Sequence, residues 1–316
     1  PNVITGLEFE RLSSASGPTL GEIKINGRTP RRIVFLQCVG SRDKQVGNEY
    51  CSRVCCMYTA KHAHLIKEKI PDAEITICYM DIRAFGRDHE EFYEQVQREG
   101  VTYIRGHAAE VYKKSPDEDT LIVRLEDTLL GVVREIEADL VVLAAGLVPS
   151  RGGKRIMEFL KLPAGRNRFL LEAHPKLRPV ETVVDGVFLA GCCHSPKDIS
   201  DTVAQASAAA MKAAMLLSKG YVETEPTVAF VDELRCRGCG TCVEACEFGA
   251  VELVERKRET PAGVLLTKVA SVNETLCKGC GACAAACPVG AMNMRHFKDE
   301  QLAAMAKAAA TTEVEA

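Results

Sequence analysis

Twelve of the fifteen cysteines fall into three groups, and the spacing within each group decides which chemistry is open to it. Two groups copy one pattern, C-x2-C-x2-C-x3-C: Cys236, Cys239, Cys242, Cys246, then Cys277, Cys280, Cys283, Cys287. Each cysteine of the second run lies 41 residues beyond its counterpart (236 to 277), and Gly238/Gly279, Gly240/Gly281 and Gly249/Gly290 keep that offset. This run, twice, is the ligand spacing of two-cluster ferredoxins, in which the fourth cysteine of each run serves the other cluster. The expected ligand sets are Cys236, Cys239, Cys242 with Cys287, and Cys277, Cys280, Cys283 with Cys246, each on one [4Fe–4S] cluster. The fourth cysteine is expected to open a helix. The glycines let each loop wrap a cube and offer amide N–H groups to its sulfurs, one lever on potential. Structural zinc would close a tetrahedron with paired cysteines, and the third cysteine of each run has no place in it. Glu247 stands where the second run has Pro288, a local departure. The chemistry implied is single-electron transfer.

The third group is Cys38, Cys51, Cys55 and Cys56. RRIVFLQCVGSR reads as a strand, Ile33–Leu36, running into a tight turn, and a helix is predicted from Cys51 to Lys69, before Pro71. On that helix Cys51 and Cys55 would share a face, about 5–6 Å apart at Cβ. Cys56 would sit beside them, with Cys38 facing the same helix start. The group could hold a third [4Fe–4S] cluster; buried free cysteines or a redox disulfide explain the spacing as well. The turn itself reads Q-C-V-G-S-R, with Gly40 but no second and third glycine. A dinucleotide fingerprint, G-x-G-x-x-G after the first strand, is therefore absent, and NAD(P)H is not expected. Cys78 lies within a strand and is assigned to the core.

The elements that must position these groups alternate. Ile4–Leu12 reads as a short helix and SSASGPTLG as a turn or linker. Glu74–Met80 is a strand, Asp88–Arg98 a helix closed by Gly100, and Val101–Tyr103 a strand. Leu121–Leu125 and Val132–Ile136 form a small antiparallel meander, and Asp139–Ala144 is a buried strand ending at Gly146. This order argues for an α/β fold with a parallel, doubly wound sheet. Further on, Ile156–Lys161 reads as a helix and Phe169–Glu172 as a strand. Val187–Ala190 is a strand delivering Gly191 to a long helix, capped by Ser200 or Asp201 and closed by Gly220. That helix start would favour a negative group such as a reduced flavin ring, though ordinary αβ packing accounts for the pattern equally. Residues 203–217 are alanine-rich and carry Lys212, which predicts a buried helix rather than a membrane span. Residues 298–316 are expected to fray.

At 316 residues the chain has room for two domains and a ferredoxin insert. A net charge of −3 makes no case for nucleic acid or an anionic membrane surface. Cysteines placed in cluster motifs, with no visible signal peptide, predict a reducing, cytoplasmic setting. The chain begins at Pro1, so it is expected to be processed or to be part of a longer polypeptide.

DLVVLAAGLVPS followed by DGVFLAG and TVAQASAAAMKAA resembles the two late segments of thioredoxin-reductase-like flavoproteins. That resemblance implies flavin contacts at Gly191, Gln205 and Ala206, joined by Lys197, Asp198, Ile199 and Thr202, with Cys192 in place of the usual Asp. FLQCVGSRD, YCSRVCCMY, YMDIRAFG, AGCCHSPKDI and the double run, in this order, resemble the C-terminal two thirds of the iron–sulfur flavoprotein subunit of heterodisulfide reductases. The implied organisation is a linker or end of a preceding FAD segment (1–30) and a Rossmann-like domain carrying a [4Fe–4S] cluster in place of NAD(P) (31–149). The C-terminal part of an FAD domain (150–225), a 2[4Fe–4S] ferredoxin domain of α+β type (226–297) and a tail (298–316) follow. The implied cofactors are three [4Fe–4S] clusters, one on Cys38, Cys51, Cys55 and Cys56, and FAD, whose site is completed from outside residues 1–316. The implied function is that of an oxidoreductase subunit in flavin-based electron bifurcation. An electron pair arriving at FAD would be divided between a low-potential ferredoxin and a disulfide or similar acceptor on partner subunits. Partners would include the other subunits, a hydrogenase or formate dehydrogenase module, ferredoxin and a segment supplying the N-terminal FAD half, in an oligomer without nucleic acid. The alternative is an iron–sulfur adaptor with no flavin chemistry of its own. An NAD(P)H-linked disulfide reductase ranks last, for want of the glycine fingerprint and of a C-x-x-C pair outside the ferredoxin runs.

Overall fold

Strands that are apolar on both faces build the first of two units. In the computed structural model, which describes residues 2–221, 223, 226–260 and 263–311, this unit takes in residues up to 155 together with 163–211. Strand β1 (Val3–Thr5) leads into helix α1 (Gly6–Ser13), whose start is fixed by a capping box between Thr5 and Glu8. Then come β2 (Arg32–Val39), α2 (Cys55–Lys69), β3 (Glu74–Tyr79), α3 (His89–Arg98) and β4 (Thr102–Arg105). The strands β5 (Ala108–Lys113), β6 (Leu121–Asp127) and β7 (Val132–Ala138) precede β8 (Leu140–Ala145), α4 (Gly153–Leu160) and α5 (Ile199–Lys219).

The parallel sheet has the order β1-β8-β2-β3-β4. Because side chains alternate across a strand, Ile33, Phe35, Leu140 and Val142 enter one core with Phe9, Ala63 and Ile66 of the helices. Val34, Leu36 and Val141 enter the other, with Leu121, Val123 and Leu125. The second face of the sheet is thus covered by the antiparallel sheet β5-β6-β7, of which the sequence pattern reveals β6 and β7 but not β5. Asp139 ties two parallel strands together. Its carboxylate accepts the amides of Arg31 and Arg32 at 3.0 and 2.9 Å and the Arg32 guanidinium at 2.7 Å.

Several expected boundaries move. Helix α2 begins at Cys55 rather than Cys51, because Arg53 adopts φ +63°, a left-handed conformation that a right-handed helix cannot contain. Phe169–Glu172 and Val187–Ala190 are not strands; each segment makes one isolated bridge, Ala164 with Leu170 and Glu181 with Phe188. Helix α5 is capped by Asp198, whose side chain accepts the Asp201 amide at 2.7 Å, so Ser200 and Asp201 lie inside the first turn. The expected burial of α5 is also corrected: only Ala209 is buried, and Ile199, Val203, Met211, Met215 and Leu217 are exposed. Its alanines are too small to draw it into either core. Among the described residues no helix is long and apolar enough to cross a membrane.

The second unit takes in residues 156–162 and those from 212 onward. Its strands β9 (Ala229–Val231) and β12 (Met292–Met294) pair antiparallel, enclosing α6 (Thr241–Glu244), the hairpin β10 (Val251–Thr260) and β11 (Gly263–Val272), and α7 (Ala282–Ala285). The hairpin fills the interval between the two cysteine runs. The tail expected to fray contains a helix, α8 (Asp299–Thr311); residues 312–316 of that expectation lie outside the described ones.

Candidate metal centres

Two hollows open in the second unit. One encloses about 310 Å³ of empty space and is lined by Cys236, Cys239, Cys242 and Cys287. The other, of about 300 Å³, is lined by Cys246, Cys277, Cys280 and Cys283. Each takes three sulfurs from one run and the fourth from the other, the grouping expected from the spacing. Backbone amides already point at the sulfurs: Ala270 to Cys236 and Ala229 to Cys277 at 3.4 Å, Ala250 to Cys246 at 3.3 Å, and Ala291 to Cys287 at 3.2 Å. Donors and acceptors both repeat at the 41-residue offset (229 to 270, 236 to 277), so the site has a local twofold relation. The loop closes tightly at Gly238, where φ is +64° and an added Cβ would lie 2.3 Å from the Lys268 carbonyl oxygen. One expectation fails: α6 and α7 contain the third cysteine of each run and end before the fourth, which therefore does not open a helix. Each helix starts straight after a left-handed glycine, Gly240 or Gly281, and runs for four residues.

As bare thiols these groups resist ionisation together; burial, then Cys277 and Cys246, push the Cys283 thiol up to about 11. Iron in the hollow would remove that penalty, since a coordinated thiol is held as thiolate. Among the described residues no three Cys, His, Asp or Glu are drawn together to hold one metal ion, as a closed zinc tetrahedron requires. Four sulfurs around a hollow, with amides aimed at them, fit a cube.

The third group is built at the carboxyl end of β2. The register between β2 and β8 shifts between Leu36 and Val39, and Cys38 in that bulge has φ +60°, uncommon for a residue with a side chain. The loop from Gly40 to Ser52 is pinned by its own bonds. The amide of Arg42 donates to Tyr50, Asp43 and Asn48 exchange a pair at 2.9 Å, and Ser41 and Ser52 share a hydroxyl bond at 3.1 Å. Gly146, just past β8, is required here because a Cβ would lie 2.8 Å from both the Ser41 Cβ and the Ser52 Oγ. Cys51 therefore precedes the helix, and the predicted pairing of Cys51 and Cys55 on one helical face is corrected. The four cysteines nonetheless converge: burial, then repulsion from Cys38, Cys56 and Cys51, push the Cys55 thiol up to about 12. Donors reach this group too, with the Arg53 amide 3.3 Å from the Cys51 sulfur. Cys78 is buried in β3, and desolvation alone drives its thiol up to about 12.

The segment from Gly191 to Ala206 lies in the same unit. Gly191 opens a 3₁₀ turn, and its amide donates to the Gln205 side chain at 2.8 Å. Lys197 bonds Ser195, Thr202 packs on Gly191, and Ile199 and Ala206 are exposed. Burial, then Arg53, hold the Lys197 ammonium below its ordinary pKa. Two half-buried side chains escape a reading of the sequence: His194 bridges Gln205 at 3.1 Å and Glu172 at 2.7 Å. The histidine stands in the AGCCHSPKDI stretch, but Glu172 lies 22 residues away and nothing in the sequence joins them. Arg53 ion-pairs with Asp201 at 2.6 Å, tying the cysteine loop to the first turn of α5.

The family described as "4Fe-4S dicluster domain" matches residues 235–291. A CoB–CoM heterodisulfide reductase iron–sulfur subunit from Methanopyrus kandleri is 55% identical over 258 residues, 81% of this chain and 39% of the relative. The corresponding subunit of the H2:CoB-CoM heterodisulfide,ferredoxin reductase of Methanothermobacter thermautotrophicus is 54% identical over 257 residues, 80% of this chain and 39% of the relative. The chain thus spans about two fifths of the length of these relatives, less than the two thirds that the motif order suggests. Among solved structures, thioredoxin reductase of T. acidophilum is similar at a TM-score of 0.44 and 15% identity, over 69% of this chain and 57% of that one. That likeness is too low to argue from.

Proposed function

This chain is homologous to the iron–sulfur flavoprotein subunit of heterodisulfide reductases over about four fifths of its length, and on that premise we propose that it is the electron-carrying core of such a subunit. The two cysteine runs hold one [4Fe–4S] cluster each, in crossed sets of three plus one. Cys38, Cys51, Cys55 and Cys56 hold a third. When bound, FAD supplies two-electron to one-electron conversion. Gly191, Lys197, Asp198, Ile199, Thr202, Gln205 and Ala206 face one side of it, and residues outside 1–316 complete its site. The α5 start directs its N-terminal dipole there, which favours an anionic reduced ring. In the whole assembly the electrons divide between a ferredoxin and a disulfide carried by partner subunits.

The observation that carries this reading is the Arg53–Asp201 ion pair, which holds the third cysteine group beside the flavin segment. Ligands of parallel α/β sheets bind beyond the carboxyl ends of the strands, and Cys38 stands at such an end. The test is iron and acid-labile sulfide in anaerobically purified protein: about twelve irons, four per cube. Cys51→Ser should bring this to about eight with the ferredoxin-type EPR signals intact. About eight irons in the wild type would remove the third cluster. If the chain, completed by the missing flavin half, bound three clusters and no FAD, the adaptor reading would stand in its place.

A further inference from the structure

Arg42 carries chemistry that its place in the sequence does not reveal. It sits four residues after Cys38 with φ +58°, a left-handed conformation that turns its side chain back along the loop. The guanidinium, about a quarter exposed, lies within hydrogen-bonding reach of the Cys38 sulfur and is gripped on its other side by Asp81 at 2.7 Å. The main-chain carbonyl of Asp81 accepts from the Cys56 thiol at 3.7 Å. One cation thus bridges the strand end bearing Cys38 and the β3–α3 loop that closes over Cys56.

This setting differs from that of the other two centres. There the donors to Cys236, Cys246, Cys277 and Cys287 are uncharged alanine amides. A hydrogen bond from a charged donor is about twice as strong as a neutral one. Reducing a cube adds one electron and makes it more negative, so a fixed guanidinium at a ligand sulfur stabilises the reduced form more than the oxidised one. Hydrogen bonds and charge at the sulfurs are among the terms that set cluster potential.

We propose that Arg42 is a positioning residue that raises the potential of the cluster on Cys38, Cys51, Cys55 and Cys56, with Asp81 moderating it. The proposal rests on that cluster being present, and its test separates the two. Arg42→Gln, Arg42→Lys and Asp81→Asn are prepared in the full chain. Each is reductively titrated with EPR detection, and the two ferredoxin-type signals serve as internal references. In Arg42→Gln the reduced-to-oxidised ratio of the third cluster at fixed ambient potential should fall about tenfold, a midpoint about 59 mV lower for one electron. Arg42→Lys should recover most of that shift. Asp81→Asn should move the midpoint the other way, a reversal that a merely structural role would not produce. An unmoved midpoint in Arg42→Gln, or equal shifts for Gln and Lys, overturns the proposal while about twelve irons leave the cluster in place. Should Arg42→Gln lose the third cluster, Asp81→Asn decides alone: a rise upholds the proposal, and no change or a fall overturns it. A wild type with about eight irons removes the cluster, and the proposal with it.

Discussion

The crossed grouping of the two cysteine runs can be tested by counting. Cys246 belongs by sequence to the first run, yet lines the hollow with Cys277, Cys280 and Cys283. Cys239 lines the other hollow. Two ligands of one cube act as a unit, so removing both should cost no more than removing either, whereas ligands of different cubes add. Starting from about twelve irons, Cys246→Ala, Cys280→Ala and the Cys246→Ala/Cys280→Ala pair should each leave about eight, because all three strip one cube of four. Cys246→Ala/Cys239→Ala strips both and should leave about four, those of the third group. The assay is iron and sulfide per chain after anaerobic reconstitution, with EPR integration of the reduced samples. The opposite pattern refutes the reasoning: about eight irons for Cys246/Cys239 and about four for Cys246/Cys280 would mean that each run holds its own cube.

Other perturbations reach the frame around these sites. Gly238→Ala places a methyl 2.3 Å from the Lys268 carbonyl at φ +64°. Left-handed strain of about 1–2 kcal/mol adds to that clash, so the second unit should lose its iron while the third group keeps its own. Asp139→Ala strips its three donors in the β2–β8 region and should lower stability by about 1–3 kcal/mol, seen as a lower midpoint in denaturant. His62 is buried, and burial holds its imidazole below the ordinary 6.5 despite Glu10 at 2.6 Å. A folded state that binds this proton less readily than the unfolded chain loses stability as pH falls through about 6.5. His62→Gln should flatten the thermal-melting profile between about pH 5 and 6.5, and an unchanged slope would refute that.

Chemistry was more legible in the sequence than geometry. The run spacing specified the two sets of four because a cube fixes the distances among its ligands, and the 41-residue offset carried the twofold relation. The helix start at Cys55 was not legible, because nothing in the letters marks Arg53 as left-handed. Strand β5 was missed since AAEVYK has no clean apolar alternation; it is held by pairing with β6 across a shifted register. The expected burial of α5 failed for a related reason. Composition reports that a helix tolerates an apolar neighbour, not that residues 1–316 supply one. His194, Glu172, Arg42 and Asp81 act through partners 11 to 39 residues away, and a single sequence shows no sign of such pairs.

The loop from Cys38 to Arg53 holds three non-glycine residues in left-handed conformations, Cys38, Arg42 and Arg53. Each costs free energy in the fold, and the paired bonds of Asp43 with Asn48 and of Ser41 with Ser52 keep them there. The consequence concerns speed. Electron exchange slows with every nuclear displacement that must accompany it, and a cradle already fixed in shape has few displacements left to make. A loop of ordinary conformations would fold more easily, but its sulfurs could drift as the charge they surround changed. This one gives up some thermodynamic stability for a low reorganisation energy, which suits a carrier that must pass one electron onward before a second arrives.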